Sequence, residues 1–579
     1  MRDSVGTNSI AQPLSPETAG DYRAKLNILV SAVSVERLSL IFCTGLAASL
    51  VAFFLLLIKP LVFLRADILM WEETDFVGNI IKFNIGAPLY TPPADSNSLI
   101  YNPAAFVATY ALAQIFGLTK SVVGLRLIQV GFVVCAALLA TVCARKLYRL
   151  AFPERSMRDG ALWAVFTFLA LFLAATTPNS NKFVYTLHVD AFALLVSVAA
   201  FWAMLRYAER DSLKNLVLMA VFPALGFLTK QFLVSWAAVM LIFLFIYSPG
   251  RYKRLGLLAL LAGTFVALAF AVCYLLWGDD YIFWTFEVMG GERKRIAFSP
   301  DSQSLSLARG FDHLARVWTE IFVGIAGGWF LLRGSAAAGG KVRLVAALTG
   351  AWLALVAGEA FSSGAGWSVL YHFGPGVLIG AVFLFAALPF VWEAEETEAG
   401  NARLFRYARA FVMCAAVTAV FFAWNVVPTG DKNSPRYLRG IQTSPDIERY
   451  VADIEREFET EAPEKVLIGL GSWVYLRHDV LQKDRAVSLS DQPMRGMYEN
   501  FDVTVRRIRD KTYRKILVHD FHTPYFLYDW DDWARPSGFR AALLENYVEI
   551  RRIEPPNGNS SLPSQIMYAG AVSVFVPRE

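Results

Sequence analysis

Long apolar runs are the feature that most constrains the fold of this 579-residue chain. Hydrophobic residues make up 56% of the sequence and charged residues only 18%. The hydrophobic residues gather in runs of about 17 to 25, which is long enough to cross the hydrocarbon core of a bilayer. The sequence therefore predicts a multi-pass membrane protein with about eleven transmembrane helices, near residues 39–58, 121–143, 160–178, 189–206, 214–229, 232–248, 256–277, 315–332, 342–361, 369–391 and 408–427.

The orientation of these helices follows from the distribution of basic residues. Lysine and arginine concentrate in alternate connections, for example Arg145, Lys146 and Arg149 after the second run. Since cytoplasmic loops carry the excess of positive charge, the N-terminus is predicted to be cytoplasmic and the C-terminus to lie outside. We interpret 214–229 and 232–248 as two spans joined by a tight outer turn. A single re-entrant element would instead move every later loop to the other side.

Composition changes on either side of the membrane region, which we assign to residues 39–427. Residues 1–38 are polar and predict a cytoplasmic tail, whereas residues 428–579 have the composition of a soluble domain. In that domain, strand-like segments such as 465–472 and 514–520 alternate with predicted helices, which is typical of an α/β unit. The predicted fold is thus mainly α, with a polytopic membrane region, membrane-surface helices in the first outer loop and a C-terminal soluble α/β domain.

Several classes of function find no support in the sequence. The five cysteines have no paired spacing, so neither a disulfide framework nor a thiolate metal site is predicted. The net charge of +5 gives little reason to expect nucleic acid as a partner. The sequence also contains no phosphate-binding loop, HExxH motif, serine nucleophile elbow or dinucleotide glycine fingerprint.

The first outer loop, residues 59–120, contains the densest group of chemically active side chains. Its apolar residues recur at helical spacing, and four carboxylates fall among them within about three turns: Asp67, Glu72, Glu73 and Asp75. This pattern predicts an amphipathic helix on the membrane surface, with its acids facing water. A glycine- and proline-rich segment at 86–93 ends that helix, and Asn102-Pro103 begins a second one.

This loop resembles the first extracytoplasmic loop of the GT-C class of integral-membrane glycosyltransferases in two segments, WEETDFVGNIIKFNIGAPLYTPP and IYNPAAFVATYALAQIFG. The nearest relatives are the aminoarabinose transferases of lipid A and the protein O-mannosyltransferases. The resemblance implies transfer of a sugar from a polyprenyl-phosphate donor to an envelope glycan or lipid acceptor. The location it implies is the periplasmic face of a bacterial inner membrane. A transporter or flippase of lipid-linked sugars is the alternative interpretation, and a non-catalytic scaffold is a third.

Such a transfer requires a base for the acceptor hydroxyl, and attack opposite the phosphate would invert the anomeric carbon. When EETDF is aligned with the acidic pair of the family, Glu72 falls where the relatives carry an aspartate. Glu72 and Glu73 are therefore predicted to be catalytic, and Asp75 or Asp67 could share the role of the base. The alternative is that these acids form the solvated face of a surface helix.

Asp190, at the outer mouth of the fourth span, resembles the second acid of the family and is also predicted to be catalytic. The alternative is an N-cap, because Asp190 directly precedes a helical segment. Carboxylates from two loops could hold a divalent cation. The sequence assigns no metal ligands and no cofactor.

Four cations are predicted to bind the donor phosphate. Lys230 belongs to the segment GFLTK, which matches the aminoarabinose transferases, although a lysine at a helix end can also simply reach the interface. Arg126 lies within the second span, where a buried arginine demands a partner. Arg293 and Arg295 lie in an outer loop, against the charge rule. Substrate contacts are predicted for Asp67, Tyr90, Tyr101, His188, Tyr371 and His372.

Overall fold

A computed structural model describes residues 35–67, 71–92, 100–155, 160–177, 184–248, 252–288, 296–297, 305–364, 370–392, 446–468, 471–481, 501–519, 521–522, 538–554 and 571–579. Within these residues the chain is mainly helical, as the sequence predicts. The proposed boundary between the membrane region and the C-terminal domain, at 427/428, lies outside the described residues.

The membrane region contains thirteen described α-helices, and ten of the eleven predicted spans coincide with them. In chain order they are α1 (Val35–Val62), α2 (Trp71–Asn84), α3 (Ala104–Phe116), α4 (Val122–Ala151), α5 (Gly160–Ala175), α6 (Asp190–Glu209), α7 (Leu213–Thr229), α8 (Trp236–Tyr247), α9 (Tyr252–Ile282), α10 (Leu307–Arg316), α11 (Trp318–Ala337), α12 (Val342–Ser363) and α13 (Gly374–Trp392). The eleventh predicted span, 408–427, lies outside the described residues.

Five of these helices, α1, α4, α6, α9 and α12, are long and apolar enough to cross a bilayer. The pair α10 and α11, bent by 73°, would make a sixth if it forms one span. Several others, including α5 and α7, are apolar but shorter. The chain is therefore a multi-pass membrane protein, and the number of about eleven spans stays a prediction.

Local sequence explains where the helices around the first outer loop begin and end. Ser121 precedes α4, and its hydroxyl accepts a hydrogen bond from the backbone N–H of Gly124, which satisfies one of the free donors of the first turn. Gly117 ends α3 in the left-handed conformation with φ of 66°, which glycine adopts without steric cost. The short connection between the two helices holds α3 close to α4.

The C-terminal part of the chain forms a four-stranded sheet with helices. Its strands are Val466–Ile468, Lys515–His519, Tyr547–Ile553 and Val572–Pro577, and their order in the sheet is first, second, fourth, third. The first two strands are parallel, whereas the later pairings are antiparallel. Among the described residues, four α-helices accompany the sheet: α14 (Asp446–Glu459), α15 (Trp473–His478), α16 (Phe501–Arg509) and α17 (Phe539–Asn546). We call this part the C-terminal unit.

Candidate active site

Helix α2, which carries Glu72, Glu73 and Asp75 of the first outer loop, is largely buried where its side chains are described. Glu73, Phe76, Val77 and Ile80 are all at most 2% exposed. The sequence-based expectation that the acids face water is therefore wrong for Glu73. The reason is that α2 is covered by other elements on both of its sides.

One of these elements is α4, through an ion pair between Arg126 and Glu73. The guanidinium group donates from Nε and Nη2 to the two carboxylate oxygens, at 2.9 and 2.6 Å, and both side chains are fully buried. The other three N–H groups of Arg126 donate to the carbonyls of Leu61, Leu64 and Ala66. All five donors of this arginine are thereby used. The structure thus does not support the predicted binding of Arg126 to the donor phosphate.

Glu73 also fixes a second loop, because its Oε1 accepts a hydrogen bond of 3.0 Å from the backbone N–H of Leu187. Both carboxylate oxygens are occupied, so Glu73 is poorly suited to take a proton from an acceptor hydroxyl. The sequence signal for this pair was the isolated arginine in a spanning segment, which required a buried partner. Its partner proved to be an acid 53 residues away in the chain rather than a ligand.

Asp67 is engaged as well, in this case by the C-terminal unit. Its carboxylate is fully buried and accepts hydrogen bonds from the backbone N–H groups of Ser472 and Trp473 at 2.8 to 2.9 Å. The predicted substrate contact of Asp67 is therefore not supported. Asp75 is partly exposed, and the side chain of Glu72 lies outside the part of the structure that is described.

Asp190, Lys230 and His188 come together at the mouth of α6. The Lys230 ammonium lies 2.7 Å from Asp190 Oδ1, and His188 Nδ1 lies 2.9 Å from Asp190 Oδ2. On the far side of the imidazole, Nε2 lies 3.3 Å from the hydroxyl of Tyr101. The three charged or titratable side chains are at most 10% exposed, so the cluster is a desolvated group of polar atoms at the end of apolar helices. We call these four residues the Asp190 cluster.

Aromatic rings surround the ammonium group of this cluster. Lys230 Nζ lies 5.8 Å from the ring centre of Tyr101 and 5.5 Å from that of Phe232, which are distances typical of cation–π contacts. His372 packs on Phe232 with ring centres 4.9 Å apart, so the Phe232 ring links His372 to the Lys230 ammonium group. Sequence reasoning did not single out Phe232. The predicted residues Arg293 and Arg295, and the side chain of Tyr371, lie outside the described part of the chain.

Tyr90 is a packing residue in this structure. Its hydroxyl donates 2.6 Å to the carbonyl of Tyr101, and its ring stands edge-on to Trp277 and Tyr281 of α9. It is only 2% exposed. Its predicted contact with substrate is therefore replaced by a role in holding the first outer loop against α9.

An apolar cavity of about 490 Å³ lies between α7, α8 and α9. Phe227 and Val234, which flank Lys230 in the chain, line it together with Phe286 and residues of α8 and α9. The stretch of chain that carries the buried cation thus also borders an apolar space large enough for part of a lipid chain. Among the described residues, no group of three or more His, Cys, Asp or Glu side chains is arranged to hold a metal ion.

Comparisons with known proteins agree on one fold. Residues 103–277 match the family model of the dolichyl-phosphate-mannose-protein mannosyltransferases. The crystal structure of ArnT from Cupriavidus metallidurans bound to undecaprenyl phosphate is similar with a TM-score of 0.53 and 14% identity, over 92% of this chain and 98% of that one. The oligosaccharyltransferase of Archaeoglobus fulgidus in complex with Zn and sulfate gives 0.51 and 13% identity, over 93% and 88%. A search of curated protein sequences found no match.

The chain therefore has the fold of the GT-C class of membrane glycosyltransferases, and the resemblance seen in its first outer loop is confirmed. The stretch that matches the mannosyltransferase model includes Asp190 and Lys230. The acids of α2 lie before it.

Proposed function

We propose that this protein is a glycosyltransferase that moves a sugar from a polyprenyl-phosphate carrier to an envelope glycan or lipid. The reaction would take place on the periplasmic face of a bacterial inner membrane. The observation that carries the proposal is Lys230, a buried ammonium group between Asp190 and two aromatic rings, in a stretch of chain whose Phe227 and Val234 line an apolar cavity. A lipid-linked phosphate combines the two chemistries that such a place can bind, an anion and an alkyl chain.

In the proposed reaction, an acceptor hydroxyl attacks the anomeric carbon while the bond from that carbon to the phosphate oxygen breaks. The electron pair leaves with the polyprenyl phosphate, whose charge Lys230 would stabilise. The proton of the hydroxyl passes to a carboxylate, for which we propose Glu72, with Asp75 next to it on α2. Attack from the side opposite the phosphate inverts the anomeric centre. Asp190 orients the ammonium group of Lys230.

Binding of undecaprenyl phosphate to the purified protein in nanodiscs tests the role of Lys230. We expect Lys230→Met to weaken binding roughly 10- to 100-fold, the value of one lost hydrogen bond to a charged group. Lys214→Met, at the exposed opposite end of the same helix, is the matched control and should bind as the wild type does. The double variant Asp190→Asn/Lys230→Met removes both charges, so its loss of binding would not come from an unpaired buried carboxylate. Unchanged binding in both Lys230 variants would contradict the proposal.

Transfer is distinguished from transport by a second measurement. Mass spectrometry of envelope glycans from cells with and without the protein identifies the sugar that is added. Glu72→Gln is expected to bind undecaprenyl phosphate normally and to lose that sugar. If the variant restores the glycan fully, a carrier that only moves the lipid would explain the data better.

A further inference from the structure

The C-terminal unit meets the first outer loop through a buried carboxylate. Ser472 N–H lies 2.8 Å from both oxygens of Asp67, and Trp473 N–H lies 2.9 Å from Oδ1. These N–H groups belong to the start of α15, where the helix leaves its first donors free. A buried carboxylate is costly unless it is hydrogen-bonded, so this contact holds only while the two parts are docked.

Thr74, in the first turn of α2, extends the contact. Its hydroxyl accepts from Gly471 N–H at 3.3 Å, and its carbonyl accepts from the Ser472 hydroxyl at 3.3 Å. Gly471 has φ of 96°, and a Cβ at this position would overlap with the Trp473 ring. The turn that presents these N–H groups therefore requires glycine.

Polar pairs lie at the two rims of the same interface. At the far end of α2, Asn84 donates to Asp479 at 2.9 Å, and Lys120 forms an ion pair with the same aspartate. Before α2, Arg65 lies 3.1 Å from Glu455, a residue of α14. The C-terminal unit thus contacts α2 at both of its ends.

We infer that the C-terminal unit sets the position of the acidic helix α2 for catalysis, and that Asp67 is the positioning residue that docks it. One side of α2 is held by Arg126 through Glu73, and the other is held by the unit through Asp67 and Thr74. Glu72, the proposed base, lies between these two anchors in sequence. The inference rests on the proposed function, because it concerns the placement of that base against the acceptor.

The test compares Asp67→Asn with the wild type in the full-length protein. An asparagine keeps the size of the side chain but replaces one carboxylate oxygen, which accepts hydrogen bonds, with an NH2 group, which donates them. That NH2 group would face the backbone N–H groups of Ser472 and Trp473, which are also donors. We expect amide exchange at 472–478 to become roughly 10- to 100-fold faster. We expect kcat for sugar transfer to fall by a similar factor, because small misplacements of a catalytic group have costs of this size. Affinity for undecaprenyl phosphate should stay within about twofold, since Lys230 lies outside this interface.

Two further variants separate positioning from general damage. Asp479→Asn changes an ion pair at the rim, and it should leave exchange at 472–478 and transfer within about twofold of the wild type because such pairs contribute little. Linking Asn84→Cys to Asp479→Cys with a short bismaleimide in the Asp67→Asn protein should restore kcat by redocking the unit. Faster exchange with unchanged kcat would overturn this inference alone. Absence of any product from the wild type would overturn the proposed function as well.

Discussion

Replacing Arg126 with methionine tests whether the buried ion pair of the first outer loop is structural. The substitution would leave the Glu73 carboxylate and three backbone carbonyls without their five hydrogen bonds, in a place where both side chains are fully buried. Removing one partner of a buried pair costs about 3–5 kcal/mol. A cost of that size raises the population of the opened or unfolded form by roughly two to four powers of ten.

The assay is unfolding in mixed micelles, followed for the two single variants and for Glu73→Met/Arg126→Met. Glu73→Met should also destabilise the protein, since it leaves the guanidinium group unpaired. The double variant replaces the pair by apolar side chains and should recover part of the loss, because it removes the unpaired buried charge but leaves the three carbonyls unpaired. The three values form a double-mutant cycle, and a coupling energy near zero would contradict the structural role.

Binding of undecaprenyl phosphate to the same variants supplies the decisive comparison. The ion pair and the three backbone carbonyls together leave no donor of Arg126 for a phosphate, so any fall in binding should follow the fall in stability. An Arg126→Met protein that unfolds like the wild type and yet no longer binds undecaprenyl phosphate would refute this reasoning. The arginine would then be a donor-phosphate ligand, as the sequence had suggested.

Two further predictions concern pH and packing. Burial would raise the pKa of Glu457, but hydrogen bonds from Lys515 and Arg551 outweigh burial and lower that pKa. The Glu457 carboxylate therefore stabilises the folded protein above pH about 4.3, the pKa of an unfolded glutamate. This stabilisation is lost as the pH falls through the lower pKa of the folded state. Amide exchange of the C-terminal strands between pH 5 and 3 should show this loss, and Glu457→Gln should flatten it. In Gly327→Ala, the new Cβ would overlap with the backbone of Leu384. The micelle unfolding assay should therefore show a destabilisation of about 1–3 kcal/mol. The control Gly263→Ala places its Cβ in open space and should show no destabilisation.

The positions of the helices could be predicted because they follow from local chemistry. In hydrocarbon every backbone polar group must be bonded within its own segment, so an apolar run of sufficient length becomes a helix wherever it occurs. For short apolar helices such as α5 and α7, length alone does not show whether they cross the membrane. Asp190 and Lys230 could also be identified from the sequence as candidate site residues, since charged residues at the ends of such runs are few and each requires a chemical explanation.

The partners of the acids could not be read from the chain in the same way. Hydrophobic periodicity shows only which residues share a face of a helix, and it assigned Asp67 and Glu73 to the solvent-exposed face of a surface helix. The residues that cover this face are distant in the sequence. Arg126 is 53 residues from Glu73, and Ser472 is 405 residues from Asp67.

The sequence by itself determined that this is a multi-pass, mainly helical membrane protein with acids in its first outer loop and a lysine after its GFLT segment. Only the tertiary structure decided which of these charges are already neutralised by protein partners. The physical reason is that a buried charge must be paired wherever the fold takes it. Glu73, Asp67 and Lys230 are all paired within the protein, and Lys230 belongs to a stretch of chain that borders an apolar cavity, which sequence spacing could not reveal.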